Sequence, residues 1–479
     1  MTASLTTDNP AATQADAGEE RVAATHFVIG ALFLALGGLL QALALFTLRF
    51  GDIPGLGYGR LEAMANLTLM LGFAVISLVG GVYYVLPRLT GTRLANPNIA
   101  RLAMLALAAL VVAGLVLIGF GFGSGRQPFS LPWWMHLPVA LALAVPAVIA
   151  FRTVTSRREV RSYVTLWFVL GGVTWLPLLY LAYFMGEIPG LGSLAVAYSD
   201  LFFSAGFVTM FVFTVGTGLF YYTLVKEVEI PLASRSLANI GFWSLGFAAV
   251  WWGVAQLVFG PGPSWVSGVA AALGLAFPIG ALANAANVSI TLEGHWEELG
   301  EKPGVVSGVV GLYLGVAVAL MASFASFPSI GAATALTEYW EAIEYASILG
   351  VGVLLVGATS IHALPRLVGR RIHSLDRVRT FHRLTLIGVG GVLITMAATG
   401  LVKGYSWIGG SNSGSYVDVG EGWGAGSAST VEALLLLAFG FGVIAFLGQL
   451  AYVSVILGTI TTGKATTQEV LVEVEADDE

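Results

Sequence analysis

Twelve stretches of this 479-residue chain stay apolar for more than 20 residues each, and almost nothing else is left over. A helix needs about 20 mostly apolar residues to cross a bilayer. The stretches run roughly over residues 26–48, 61–86, 99–122, 131–152, 162–185, 199–225, 237–259, 265–290, 304–328, 339–363, 380–402 and 431–460. Gly, Pro and charge punctuate them, as in GDIPGLGYGR and GPGPS. Only 10% of the residues are charged and 57% are hydrophobic. A soluble domain carries about 25% charged residues, and one core does not grow much beyond about 250–300 residues. Lipid as the solvent accounts for both facts. The fold expected is therefore an all-α integral membrane bundle of twelve transmembrane helices, with the lipid bilayer as its first partner.

The basic residues predict the orientation, because cytoplasmic loops collect Lys and Arg. Numbering the loops alternately puts 18 of the 22 on the side of both termini; Arg49, Arg60, Arg126 and Lys403 fall on the other. Both ends are expected in the cytoplasm, in a multi-pass protein of the cell membrane. Residues 1–24 lack a basic stretch feeding a short apolar run, so they do not read as a signal peptide. They are expected to form a disordered tail, residues 25–461 the membrane domain, and residues 462–479, ending in EVLVEVEADDE, an acidic tail. No basic patch with interleaved aromatics is present, which argues against nucleic acid. Cysteine is absent, which removes disulfides, thiolate catalysis and Cys-ligated metals.

Several stretches, in order and spacing, resemble subunit I of the haem-copper oxidases, specifically the C family (cbb-type). They are GRLEAMANLTLMLGF (59–73), VYYVLPRLTGTRLANPN (82–98), RREVRSYVTLWF (157–168), YYTLVKEVEIPLASRSLANIGFWSL (221–245), ANVSITLEGHW (286–296) and IHALPRLVGRRIHSLDRVRTFHRL (361–384). The resemblance implies a twelve-helix fold, and haem b and copper wherever the family chemistry survives. It also implies histidine ligands at positions that here align with Ala65, Ala205, Ala255, Gln256, Ile343 and Tyr345. The family's helix-nine Tyr and Glu align near Leu320 and Ser326. Neutral imidazole supplies the nitrogen lone pair that copper and haem iron need; Ala and Ile supply no donor. Tyr345 is a weak substitute, of the kind that tyrosine-ligated haem uses. No cofactor, no metal and no catalytic residue is therefore expected.

The six histidines, His26, His136, His295, His362, His373 and His382, read as interfacial or solvated residues. Acids near the outer helix ends are more informative: Glu62, Asp200, Glu338, Glu341 and Glu344. The last three share a helical face at a spacing of three. Acids in a helix's first turn also suit its positive end, which covers Glu338 and, with less force, Glu341 and Asp200. An ionisable group at membrane depth otherwise marks an ion path or a paired partner. A polar cavity is expected to gather Glu62, Asn66, Asp200, Glu341, Glu344 and Tyr345 in the space where the family holds haem. Asn284 and Asn287 suit helix–helix hydrogen bonds, and the Gly–aromatic stretch 404–429 suits a partner contact or a headgroup-level cover. Three functions follow. The first is a degenerate family member, serving as a membrane scaffold subunit among other subunits of a respiratory or redox complex. The second is an active terminal oxidase or nitric oxide reductase subunit. The third is an ion or small-molecule transporter built on the oxidase scaffold.

Overall fold

The computed structural model describes residues 10–159, 161–257, 260–412 and 425–463. Helices make up nearly all of it. Among the described residues the only β contact is an isolated bridge between Ile53 and Leu56. We number the membrane segments α1 (Pro10–Phe50), α2 (Tyr58–Thr90), α3 (Pro97–Gly119), α4 (Trp133–Thr155), α5 (Val164–Met185) and α6 (Ser193–Val228). Then come α7 (in pieces Arg235–Trp243, Ser244–Ala248 and Trp251–Ala255), α8 (Ser264–Thr291, interrupted after Gly274) and α9 (Pro303–Ser326). The last are α10 (Glu338–Val368), α11 (Leu375–Asn412) and α12 (Ala425–Thr461).

Among the described residues, eleven helices are long and apolar enough to cross a membrane. The expected span 237–259 is the exception, because α7 is broken into short pieces. Its middle is a π-helical turn, Ser244–Ala248, where Ser244 Oγ donates to the Ala276 carbonyl across the break in α8 at 2.9 Å. A side chain of one interrupted helix thus satisfies a backbone carbonyl of the other, as irregular backbone at membrane depth requires.

The bundle has a protein-buried centre and a lipid-facing ring. The most apolar windows of α2 and α10 are wholly buried, whereas that of α3 is only 28% buried. On α3, Leu102, Leu105, Val112 and Val116 are exposed, as expected for a lipid-facing surface. Close packing relies on small residues: a Cβ added to Gly388 of α11 would lie 2.3 Å from the Ala445 nitrogen of α12. Polar clamps reinforce it. Asn287 Oδ1 accepts from the Ser234 backbone nitrogen at 2.9 Å while its Nδ2 donates to the Ser234 carbonyl at 2.8 Å. Asn284 accepts from the Tyr221 hydroxyl at 2.8 Å.

Three expectations need correction. Helix α1 begins at Pro10, inside the stretch expected to be a tail, and Val22 and Ala23 are buried. Helix α11 runs on to Asn412, so the first part of the expected outer loop 404–429 is helical; residues 413–424 lie outside the described residues, as do residues 464–479 of the acidic tail. Nor are the histidines solvated as a group: His26, His136 and His362 are 2%, 0% and 3% exposed.

Candidate functional site

Sequence spacing builds the site on two central helices. On α2, Tyr58, Glu62 and Asn66 recur every fourth residue and so stack on one side. On α10, Thr337 caps the helix, its hydroxyl accepting from the Tyr339 nitrogen at 3.4 Å, and Glu338, Glu341 and Glu344 follow at every third residue. These two rows face each other: the Tyr58 hydroxyl donates to Glu341 Oε2 at 2.8 Å. Gln127 Nε2 lies 3.4 Å from Glu62 Oε2 and covers it from the α3–α4 loop.

Between the rows lies a cavity of about 630 Å³, at the end of the bundle where α2, α6 and α10 begin and α11 ends. Glu62, Asn66, Asp200, Glu341 and Glu344 all line it. Tyr345 does not; it lines a smaller space of about 30 Å³ directly beneath, shared with Gln41, Asn66 and Glu344. A space that size holds one or two waters when polar groups surround it. Two further groups border the large cavity. Gln256 Nε2 of α7 is buried without a hydrogen-bond partner, and the Trp340 indole nitrogen likewise. The arrangement offers carboxylate acceptors from α2 and α10 together with the unpaired N–H donors of Gln256 and Trp340.

Two of the five acids are neutralised by basic residues. Lys403 of α11 pairs with Glu338 Oε1, leaving Glu338 Oε2 buried without a partner. Arg126 reaches from the α3–α4 loop to donate to Asp200 Oδ1 from Nε at 2.8 Å and to Glu187 at 3.0 Å, with its guanidinium 4.1 Å over the Tyr183 ring. Burial works against the Arg126 charge, but the Asp200 hydrogen bond and the surrounding anions outweigh it and raise its pKa further. Asp200 therefore sits at the cavity rim as one half of an ion pair, and the helix-start explanation is insufficient for it and for Glu338. Tyr58, Lys403 and Arg126 were not singled out by their sequence context. The four-residue spacing from Tyr58 to Glu62 was the available signal for the first, and a lone Lys within an apolar segment for the second; nothing local pointed Arg126 at Asp200.

Of the positions expected to align with family ligands, Gln256 and Tyr345 border these spaces, whereas Ala65, Ala205, Ala255 and Ile343 line neither. Ala65 packs with Leu40, Ala44 and Leu61 against α1, and its neighbour Asn66 is the residue presented to α10. Ala255 packs with Val254 and Ala270, and Ile343 is fully buried in the central core. Ala205 is closed off by α7: a Cβ added to Gly253 would lie 2.7 Å from Ala205 Cβ and 2.2 Å from the Leu201 carbonyl oxygen. Trp252 stacks between Phe277 and Trp340, with ring centroids 6.3 and 5.8 Å away. Near the helix-nine positions, Leu320 is 41% exposed on the outer surface and Ser326 is buried against Gly274.

The fully buried histidines and His373 each have a partner, whereas the buried Nε2 of His382 has none among the described residues. His26 Nδ1 lies 2.7 Å from the Val22 carbonyl on α1, and His136 Nδ1 lies 3.0 Å from the Tyr180 hydroxyl. His362, at the far end of α10, pairs with Glu227, which also meets Arg366 at 3.2 Å. His373 Nδ1 meets the Thr462 hydroxyl at 2.9 Å. Among the described residues, no group of three or more His, Asp or Glu is arranged to hold a metal ion.

One backbone feature was invisible in the sequence. The helices α2, α6, α7 and α10 each carry a π-helical segment: Leu67–Val75, Phe207–Phe213, Ser244–Ala248 and Ala346–Gly352. In α2, α6 and α10 the segment starts one or two residues after the aligned position at Ala65, Ala205 and Tyr345. Such turns are frequent at functional sites.

A polytopic helical bundle with π-helical segments in its buried helices α2, α6 and α10 and an acidic cavity between α2 and α10 defines the class. The fold is that of a haem-copper terminal oxidase dimer solved by cryo-electron microscopy, which superposes at a TM-score of 0.76 over 93% of this chain and 84% of that one, at 14% identity. The family model for Cytochrome C and Quinol oxidase polypeptide I matches residues 21–423, and the chain belongs to that family. Curated relatives include a Cbb3-type cytochrome c oxidase subunit CcoN1 of Stutzerimonas stutzeri, 23% identical over 399 residues covering 79% of this chain and 82% of that protein. Cytochrome c oxidase subunit 1 of Rhodobacter capsulatus is also 23% identical over 399 residues, covering 81% of this chain and 75% of its own length.

Proposed function

We propose that this chain is a degenerate oxidase subunit I: a membrane subunit of a respiratory or related redox complex without an oxygen-reducing haem-copper centre of its own. The observation that carries the reading is the donor set. None of the six histidines lies in α2, α6 or α7, and the one in α10 is paired with Glu227 at the opposite end from the acidic cavity. The aligned positions hold Ala65, Ala205, Ala255, Gln256, Ile343 and Tyr345, and shifting the alignment by a residue or two supplies no imidazole. The close approach of Gly253 to Ala205 further supports it, because the copper site of the family would need room between α6 and α7. The residues present do not fit a haem-copper centre.

In this reading the bundle serves as a docking surface for other membrane subunits in the cell membrane, with both termini in the cytoplasm. The π-helical segments are kept as architecture after their chemistry is gone. The acidic cavity favours one second reading, ion or proton passage, because Glu62 and Glu344 line a polar space within the bundle without a basic partner in any described ion pair. An active terminal oxidase or nitric oxide reductase is the competing family reading, and it requires ligands from outside the six histidines.

Two measurements divide these. Tagged protein isolated from its native membranes should bring stable membrane partners in fixed ratio; isolation as a lone chain would remove the scaffold reading. Reconstituted in liposomes, the parent and Glu344→Gln forms should show equal, background proton and cation flux. A flux lost in Glu344→Gln would establish the passage reading instead.

A further inference from the structure

A second, larger pocket of about 850 Å³ opens at the opposite end of the bundle, where α1 begins and α2 ends. Three arginines line it: Arg88 from the last turn of α2, Arg93 from the loop that follows, and Arg158 from the loop after α4. Among the described residues that line it, the carboxylate is Glu20, which sits 3.9 Å from Arg88. Its inner wall includes Tyr83, which is 2% exposed and whose hydroxyl has no hydrogen-bond partner. A buried O–H with nothing to donate to is unusual, and here it borders an arginine-lined space.

The arginines are held by backbone rather than left on free loops. The Thr90 carbonyl accepts from the Arg158 and Glu159 nitrogens at 2.9 and 3.2 Å, and the Ala95 nitrogen donates to Thr153 Oγ1 at 3.1 Å. Gly91 turns the chain at φ +64°, closing α2 with a 3.0 Å bond from its nitrogen to the Pro87 carbonyl. The Arg88 guanidinium lies 3.9 Å over the Tyr84 ring and donates to the Tyr84 carbonyl at 2.8 Å. Arginines from α2 and from two loops line this one space, and planar guanidinium groups match the oxygens of a phosphate.

We propose that this pocket binds the phosphate headgroup of an anionic membrane lipid. Its setting favours a lipid over a free phosphate. The pocket lies at the arginine-rich end of a membrane bundle, where basic pockets between helices take anionic headgroups. At the same end, Ile99, Leu102 and Phe151 present exposed apolar side chains that acyl chains can cover. The bound lipid would tie together α1, α2 and the α4–α5 loop, and this holds whatever redox role the opposite end plays.

The test uses the full chain in neutral detergent, with phosphatidylglycerol, phosphatidylcholine or inorganic pyrophosphate as the added probe. Thermal unfolding midpoint and retained lipid phosphorus are the readouts. Phosphatidylglycerol should raise the midpoint and be retained, and phosphatidylcholine should do neither. The Arg93→Gln/Arg158→Gln double variant alters two exposed side chains, and its own midpoint without lipid is the baseline from which its lipid-induced rise is read. It should weaken phosphatidylglycerol binding roughly 30-fold, from about fivefold per basic residue near the surface. Tyr83→Phe should weaken it with no change in net charge. Pyrophosphate competing with phosphatidylglycerol supports the shared phosphate chemistry. Pyrophosphate binding without phosphatidylglycerol binding overturns the lipid assignment, and unchanged affinity in the double variant overturns the site.

Discussion

Placing a histidine at position 205 of α6 should damage the protein rather than create a metal site. Ala205 is fully buried, and the opposing α7 backbone comes so near that even a Cβ on Gly253 would fall 2.7 Å from Ala205 Cβ. An imidazole at position 205 has several more heavy atoms to place in that contact. Overpacking a filled core costs about 1–3 kcal/mol. An imidazole N–H buried there without an acceptor adds about 1–3 kcal/mol, so Ala205→His should lose roughly 2–6 kcal/mol from the two effects together. The assay is unfolding in mixed micelles by titration with denaturing detergent, with copper measured by mass spectrometry on the same samples. Gly253→Ala should be destabilised through the same contact. Gly390→Ala, where an added Cβ meets nothing within 4 Å, should be neutral or slightly stabilised, by up to about 1 kcal/mol. If Ala205→His is as stable as the parent, or binds one copper per chain, the packing argument between α6 and α7 is wrong.

Other perturbations probe the two ends of the bundle. Lys403→Met strands the Glu338 carboxylate and should cost about 3–5 kcal/mol in the same unfolding assay, with most of the loss recovered in the Lys403→Met/Glu338→Gln double variant. Tyr58→Phe should cost about 1.5–3 kcal/mol if Glu341 is ionised and about 0.5–1.5 kcal/mol if it is protonated, so the size of the loss reads the charge state of the cavity. Arg126→Lys keeps the charge but cannot reproduce the forked contacts to Asp200 and Glu187. Faster proteolysis of the α3–α4 loop in Arg126→Lys is the expected result, and an unchanged rate would mean the clamp does not hold that loop. Asn287→Ala frees both polar groups of Ser234 and should cost about 1–3 kcal/mol, seen as loss of folded protein on heating.

Much of the bundle could be read from the chain because lipid imposes a simple demand: about 20 apolar residues per crossing. The exception is informative. Residues 237–259 are apolar enough to count as a span, yet α7 breaks beside the interrupted α8, where the Ser244 hydroxyl takes up the Ala276 carbonyl, and no periodicity records that contact. The acidic rows were legible where spacing carries the geometry, as on α10 with Glu338, Glu341 and Glu344. Partners brought in from distant segments were not: Arg126 to Asp200 and Lys403 to Glu338 join residues 74 and 65 positions apart. The histidines were misjudged for a related reason. His136 sits beside WW at a span boundary, which suits the interface, but its ring is packed against Tyr180, Tyr183 and Phe184. A one-residue question also decided the α2 wall, since Ala65 turns towards α1 while Asn66 faces α10.

The most direct test of the proposed role is the visible absorption spectrum of the protein purified from its native membrane, with a pyridine haemochrome assay and metal analysis on the same sample. A preparation without a Soret band, and with haem and copper well below one per chain, is the result expected of a subunit that has lost its centre. One haem or more per chain with a Soret band that shifts on reduction would contradict it and return the chain to the active oxidases of its family.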